Sequence, residues 1–145
     1  MEFDQYVTDK FPNICVAEGE IHSVGITPSS PEIEGLKQEI AREITSRYTL
    51  ENVKHDPLFR AYRDFFWSVG VDPTKTRPAS EALVRRIHSG GRLPAINTAV
   101  DAYNLASARS GVPIGAFDRD TIDGDLTMRF AEEGEQFIGI GMEKP

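Results

Sequence analysis

RLPAINTAVDAYNLASARSGVPIGAFD, Arg92 to Asp118, sets polar side chains into an otherwise apolar helix and closes it with a turn rich in Gly and Pro. Asn97 or Thr98 is the expected N-cap, because a short oxygen-bearing side chain there accepts from the free N–H groups of the first turn. Gly111 and Pro113 end the helix. Asp101 and Asn104 lie three residues apart, so a helix puts both on one face. Their neighbours Ile96, Ala99, Val100, Ala102, Tyr103, Leu105 and Ala106 are apolar or small. A carboxylate and an amide on such a helix need partners. Two readings stand: they cap and cross-link local backbone, or they meet a ligand.

Upstream, Ser29, Ser30 and Pro31 open a helix in which Ile33, Leu36, Ile40 and Ile44 form the inner stripe, with Glu32, Lys37, Glu39, Arg42 and Glu43 outside. Asp56-Pro57 starts another, since Asp caps and Pro suits the first helical position. There Phe59, Tyr62, Phe66 and Val69 make the buried stripe, with Phe65 and Trp67 beside it and Gly70 at the end. An aromatic cluster of this kind stacks bases in some proteins, but helical spacing favours a core role. Asp72 to Pro78 is turn-rich, and a helix capped by Ser80 runs from about Ser80 to His88, with Leu83, Val84 and Ile87 inside. Gly90-Gly91 stop it.

The two ends read as strands. Ile14 to Thr27 is rich in β-branched residues with partial alternation. Asp123-Gly124 is a tight turn before a strand at Asp125 to Ala131, and a last strand covers Gln136 to Met142. An early strand, several helices and late hairpin-linked strands make the fold class α+β.

At 145 residues the chain is one domain by size. No apolar run approaches the roughly 20 residues that cross a bilayer. The start, MEFDQYVTDKF, has no basic leader. Cys15 is the only cysteine, which excludes an internal disulfide and fits a reducing cytoplasm. Neither it nor the scattered His22, His55 and His88 shows zinc spacing or a nucleophile pattern. The acidic cluster Asp118, Asp120, Asp123 and Asp125 reads as a solvated turn rather than a calcium loop. There is no phosphate loop or dinucleotide fingerprint, so no metal and no cofactor are expected.

The net charge of −7 argues against general coating of nucleic acid. Its distribution is uneven. Lys75, Arg77, Arg85, Arg86 and Arg92 face only Glu81 as a neighbouring acid, whereas residues 1–50 and 117–145 carry an excess of acid. A basic segment on an acidic body suits one confined anionic contact, such as an RNA end. A solvated helix face accounts for it equally.

The same residues carry a family resemblance. VDAYN (Val100 to Asn104) and GVPIGAFD (Gly111 to Asp118), followed by Asp123-Gly124, Arg129-Phe130-Ala131 and Gly134-Glu135, resemble the B3/B4 domain of the phenylalanyl-tRNA synthetase β subunit. They resemble the free-standing B3/B4 proteins of bacteria and archaea more closely, and Arg60 to Arg86 is similar to the approach segment of those proteins. The resemblance covers roughly residues 55 to 141 well and the first fifty in outline. It implies a β-sandwich-like core with packed helices in a single domain over 1–145. Residues 1–54 form its N-terminal strand-and-helix part, and 55–145 the signature part. Family members continue for several more strands, so a C-terminally incomplete domain is expected, with self-association or a partner completing the sheet.

In the synthetase the resembling domain is an editing site that hydrolyses tyrosine wrongly esterified to the phenylalanine tRNA. The resemblance therefore implies a chain that binds tRNA or aminoacyl-tRNA, with trans-editing deacylation as its most concrete form and no membrane partner. It implies a substrate-binding role for Asn104, which matches an amide bordering the editing pocket. Asp101 matches the motif's acid and is placed with the substrate-binding residues, there more as a support than as a direct contact. Gly115 stands where the synthetase has a pocket His, a departure that the free-standing relatives share. Arg92 is expected at the substrate, and Lys75, Arg77, Arg85 and Arg86 along the RNA. No catalytic side chain is assigned, since a positioned water suffices. The alternatives are a non-catalytic RNA- or amino-acid-binding module and a structural, oligomerising domain.

Overall fold

The computed structural model describes residues 1–137. The described elements are helix-rich with one short strand pair, an α+β arrangement, and they divide into two compact units.

The larger unit, residues 23–116, is helical. It contains α2 (Pro31–Arg47), α3 (Pro57–Ser68), α4 (Ala79–His88) and α5 (Thr98–Ser110). Each of α2, α4 and α5 packs on the other two. Their shared core is Ile40, Ile44, Tyr48, Val53, Phe59, Val84, Ile87, Leu93, Leu105 and Ala108. Burying one such side chain stabilises the fold by about 1.5–3 kcal/mol, so this cluster is the main favourable term. The caps follow the sequence. Ser30 Oγ accepts from the Ile33 N–H at 3.2 Å, Asp56 Oδ1 from Leu58 at 2.9 Å and Asn97 Oδ1 from Val100 at 2.9 Å. Each such cap contributes about 1 kcal/mol. At the other end of α5, Gly111 has φ 76°, and a Cβ there would lie 2.6 Å from Leu58 Cδ2. Only glycine satisfies both constraints.

Three expectations for this unit need correction. Leu36 is exposed, and Lys37 takes its place on the inner stripe of α2 between Ile33 and Ile40. Ser80 does not cap α4, whose N-cap position is Pro78; the Ser80 hydroxyl is buried without a hydrogen-bond partner among the described residues. Of the stripe expected to be buried on α3, Phe59 is buried but Tyr62, Phe66 and Val69 are only half-buried, and beside it Phe65 and Trp67 stand 37% and 56% exposed.

The smaller unit comprises residues 1–22 and the chain from Phe117. Here α1 (Gln5–Lys10) is preceded by β1 (Glu2–Phe3), which pairs in parallel with β2 (Thr127–Met128). Phe130 packs against Tyr6 at 5.2 Å and Phe11 at 6.3 Å between ring centroids, with Lys10 Nζ 5.0 Å above it. The strand expected at Asp125 to Ala131 is confined to those two residues. Ile14 to Thr27 forms no strand, and Val16, Ile21, Val24 and Ile26 are exposed. A β-branched run becomes a strand only when a neighbouring edge takes its hydrogen bonds, and no such ladder reaches this run among the described residues. A β-sandwich-like core is not among the described elements. The last expected strand, Gln136 to Met142, lies largely outside the described residues.

An Arg129–Glu135 clamp closes the C-terminal turn of this unit, with Nη1 of Arg129 2.8 Å from Oε2. The guanidinium, joined by the Glu132 N–H, lowers the Glu135 carboxyl from 4.5 to about 2. A depressed acid contributes stability above its unfolded value and loses it as pH falls through the folded one. Acidification from pH 5 to 2 is therefore expected to loosen this turn, and Glu135→Gln to flatten that part of the acid response. Amide exchange of Arg129 to Glu135 across that range reads it.

Candidate functional site

Helix α5 sorts its two polar residues into different roles. Asp101, with its side chain fully buried, accepts from Lys37 Nζ at 2.7 Å and from the Ile96 N–H at 3.1 Å. Lys37 comes from α2 and also donates to Glu34 at 2.7 Å. Burial alone pulls the Lys37 ammonium down; the hydrogen bonds to Asp101 and Glu34 outweigh it, and the net shift is upward from 10.5. Asp101 thus joins α5 to α2 and holds the chain that enters α5. Its contacts are those of a support, not of a group presented to a ligand.

Asn104, one turn further, is half-buried, and its amide makes no hydrogen bond among the described residues. It can donate through its NH₂ and accept through its oxygen. A helix anchored at Asp101 carries this group. Gly115 lies in the exposed segment after α5, and a Cβ there would meet nothing within 4 Å.

The basic segment divides in the same way. Glu81, in the first turn of α4, has a fully buried carboxylate. Arg85 Nε donates to Oε1 at 2.7 Å, and Arg63 Nη1 from α3 spans Oε1 and Oε2 at 3.1 and 3.2 Å. Arg86 Nε donates to the Arg92 carbonyl at 2.6 Å and ties off the Gly90-Gly91 turn. Arg85 and Arg86 therefore have structural partners. Lys75, Arg77 and Arg92 are exposed and have no acidic partner among the described residues. The turn that carries Lys75 and Arg77 is built by Asp72, whose Oδ1 accepts from the Thr74 hydroxyl at 2.6 Å and N–H at 2.8 Å. Those two bonds hold the Asp72 carboxyl below 3.8.

The sequence reading placed Lys37 on the outer face and missed its bond to Asp101. For Lys37 the signal was present: it sits four residues after Ile33 and three before Ile40, on the apolar stripe itself. Asp118 caps the short turn Arg119–Thr121, accepting from Asp120 N at 3.1 Å. Among the described residues no three His, Cys, Asp or Glu side chains come together as a cation cage. No described helix is long and apolar enough to cross a membrane.

Comparison with known proteins places these features in a family. The B3/4 domain model matches residues 61–145. The chain is 23% identical over 137 residues to the phenylalanine–tRNA ligase β subunit of Aquifex aeolicus (strain VF5), a match covering 86% of this chain and 17% of that subunit. To the same subunit of Synechococcus sp. (strain CC9605) it is 27% identical over 141 residues, covering 83% of this chain and 17% of the subunit. To that of Geobacter metallireducens (strain ATCC 53774 / DSM 7210 / GS-15) it is 28% identical over 142 residues, covering 86% and 18%. The chain thus spans less than a fifth of the length of these relatives. No solved structure matches it. With the family match extending over more than half its length and taking in both α5 and the turn that follows, the chain belongs to the B3/4 domain family.

Proposed function

We propose that this chain binds the aminoacyl end of tRNA and hydrolyses the ester that joins a wrong amino acid to it. The observation that carries the reading is the Asn104 amide, unpartnered among the described residues, on an anchored helix within a domain whose relatives are β subunits of phenylalanine–tRNA ligases. The fold that goes with this reading is a single B3/B4-type domain with a β-sandwich-like core.

Ester hydrolysis needs little from the protein beyond position. Water adds to the ester carbonyl, the bond to the ribose oxygen breaks, and a free amino acid and a ribose hydroxyl result. Negative charge develops on the carbonyl oxygen, and a fixed donor aimed at it lowers the barrier. The NH₂ of Asn104 is suited to that task, or to holding the water. Lys75, Arg77 and Arg92 supply positive charge for the phosphates of the acceptor strand, which matters on a chain of net charge −7. Arg85 and Arg86 contribute what remains of their guanidinium surface, and Gly115 leaves room for the amino-acid side chain.

Deacylation of tRNAs carrying correct and incorrect amino acids tests the reading, beginning with tyrosine on the phenylalanine tRNA. Selective release is expected, with Asn104→Ala lowering kcat/KM by about a hundredfold, as loss of one oxyanion donor does. Release from no tRNA, with binding intact, would leave a binding module without catalysis.

A further inference from the structure

On α3, beside a hollow that Asn104 does not line, the chain's only tryptophan stands largely out of the core. Trp67 is 56% exposed and borders a hollow of about 360 Å³ lined also by Lys54, His55, Arg60, Arg63 and Asp64. Arg60, Arg63, Asp64 and Trp67 are spaced i, i+3, i+4 and i+7, so one stripe of α3 carries them all. Lys54 and His55 come from the short turn Val53–His55, which is fixed by the fully buried Val53. One wall of the hollow thus comes from α3 and the other from this turn.

Its donors are only partly engaged. Among the described residues, Arg60 gives Nε to Asp64 at 3.1 Å and keeps both terminal nitrogens. Arg63 gives Nη1 to Glu81 and keeps Nη2 among the same residues. Lys54 has no acidic partner among the described residues. Cationic donors around an exposed indole match two features that occur together in a nucleotide, an anionic phosphate and a flat base. Stacking on an aromatic ring tolerates any base, and the cations follow the backbone. An acidic peptide would use the charges and leave the ring unused.

We infer that this hollow holds one nucleotide of single-stranded RNA, its base stacked on Trp67 and its phosphate between Lys54 and Arg60. This site is independent of the ester chemistry assigned to Asn104, and either can fail alone.

Because Trp67 is the only tryptophan, intrinsic fluorescence reports the contact directly. Titration with a short oligoadenylate is expected to quench it saturably, whereas inorganic polyphosphate, which has charge but no base, leaves it largely unquenched. Trp67→Ala is expected to weaken binding of end-labelled oligoadenylate, read by anisotropy, by about tenfold to a hundredfold. Trp67→Phe should recover most of that loss, and melting curves of both variants should overlay the parent. The proposal is overturned by absence of saturable quenching, by equal quenching with polyphosphate, or by Trp67→Ala binding as tightly as the parent.

Discussion

Glu81→Ala is expected to lower the melting temperature by about 10 °C. The carboxylate is fully buried and is met by Arg85 from its own helix and Arg63 from α3. Removing one member of a buried ionic group costs about 3–5 kcal/mol, because the remaining charges lose their partner in a poorly solvated site. For a domain of this length each kcal/mol moves the midpoint by roughly 3 °C. Total stability of an ordinary domain is about 5–15 kcal/mol, so the variant survives with little margin. Glu81 also lies in the first turn of α4, where the helix dipole favours an acid. Replacing Glu81, Arg63 and Arg85 together by apolar residues of similar size should restore much of the loss. A triple variant as unstable as Glu81→Ala would show that something other than the stranded guanidinium groups sets the cost. The exposed Arg109–Glu43 pair, 3.0 Å apart, offers the contrast: breaking it should cost less than about 1 kcal/mol.

Asp101→Ala is expected to destabilise by a similar amount, about 3–5 kcal/mol, by leaving Lys37 largely buried beside Glu34 alone and the Ile96 N–H without its acceptor. Asp101→Asn keeps an acceptor for Ile96 and should cost less. The linkage to pH has a definite sign. The folded pKa of Lys37 is raised, so its contribution is complete below 10.5 and is lost as pH rises through the folded value. Denaturant melts from pH 9 upward should show stability falling in the parent and a flatter profile in Lys37→Met. An unchanged alkaline slope in Lys37→Met would remove the pair from the account.

Much of the helical unit was legible in the sequence because its signals are local. Ser30-Pro31, Asp56-Pro57 and Asn97 are caps whose chemistry acts within one turn, and Gly111 answers to a left-handed backbone. The strands were less legible. Ile14 to Thr27 has the composition of a strand, but a strand exists only when another edge pairs with it, and pairing is not a local property. In the site, Asp101 was placed with the substrate-binding residues as a supporting acid, and the structure gives it a partner in Lys37. That partner was assigned to the solvent side because Leu36 suits the apolar stripe better by hydropathy. A buried carboxylate alters that preference, since it costs more to leave unpaired than a leucine costs to expose. The basic segment was read as a local excess of charge, either a confined anionic contact or a solvated helix face. Charge counting could not show that Arg85 and Arg86 serve Glu81 and the Arg92 carbonyl, because the count treats a buried acid and a solvated one alike.

On the proposed function, α5 fixes Asp101 within the fold and leaves Asn104 for the aminoacyl end of tRNA. Equilibrium binding of charged and uncharged phenylalanine tRNA, by the parent chain and by Asn104→Ala at matched low salt, tests it most directly. The account predicts tighter binding of the charged form by the parent, weakening with salt, and loss of that preference in Asn104→Ala with no change in melting temperature. Equal affinity for both tRNAs in the parent, or an undiminished preference in Asn104→Ala, would contradict it.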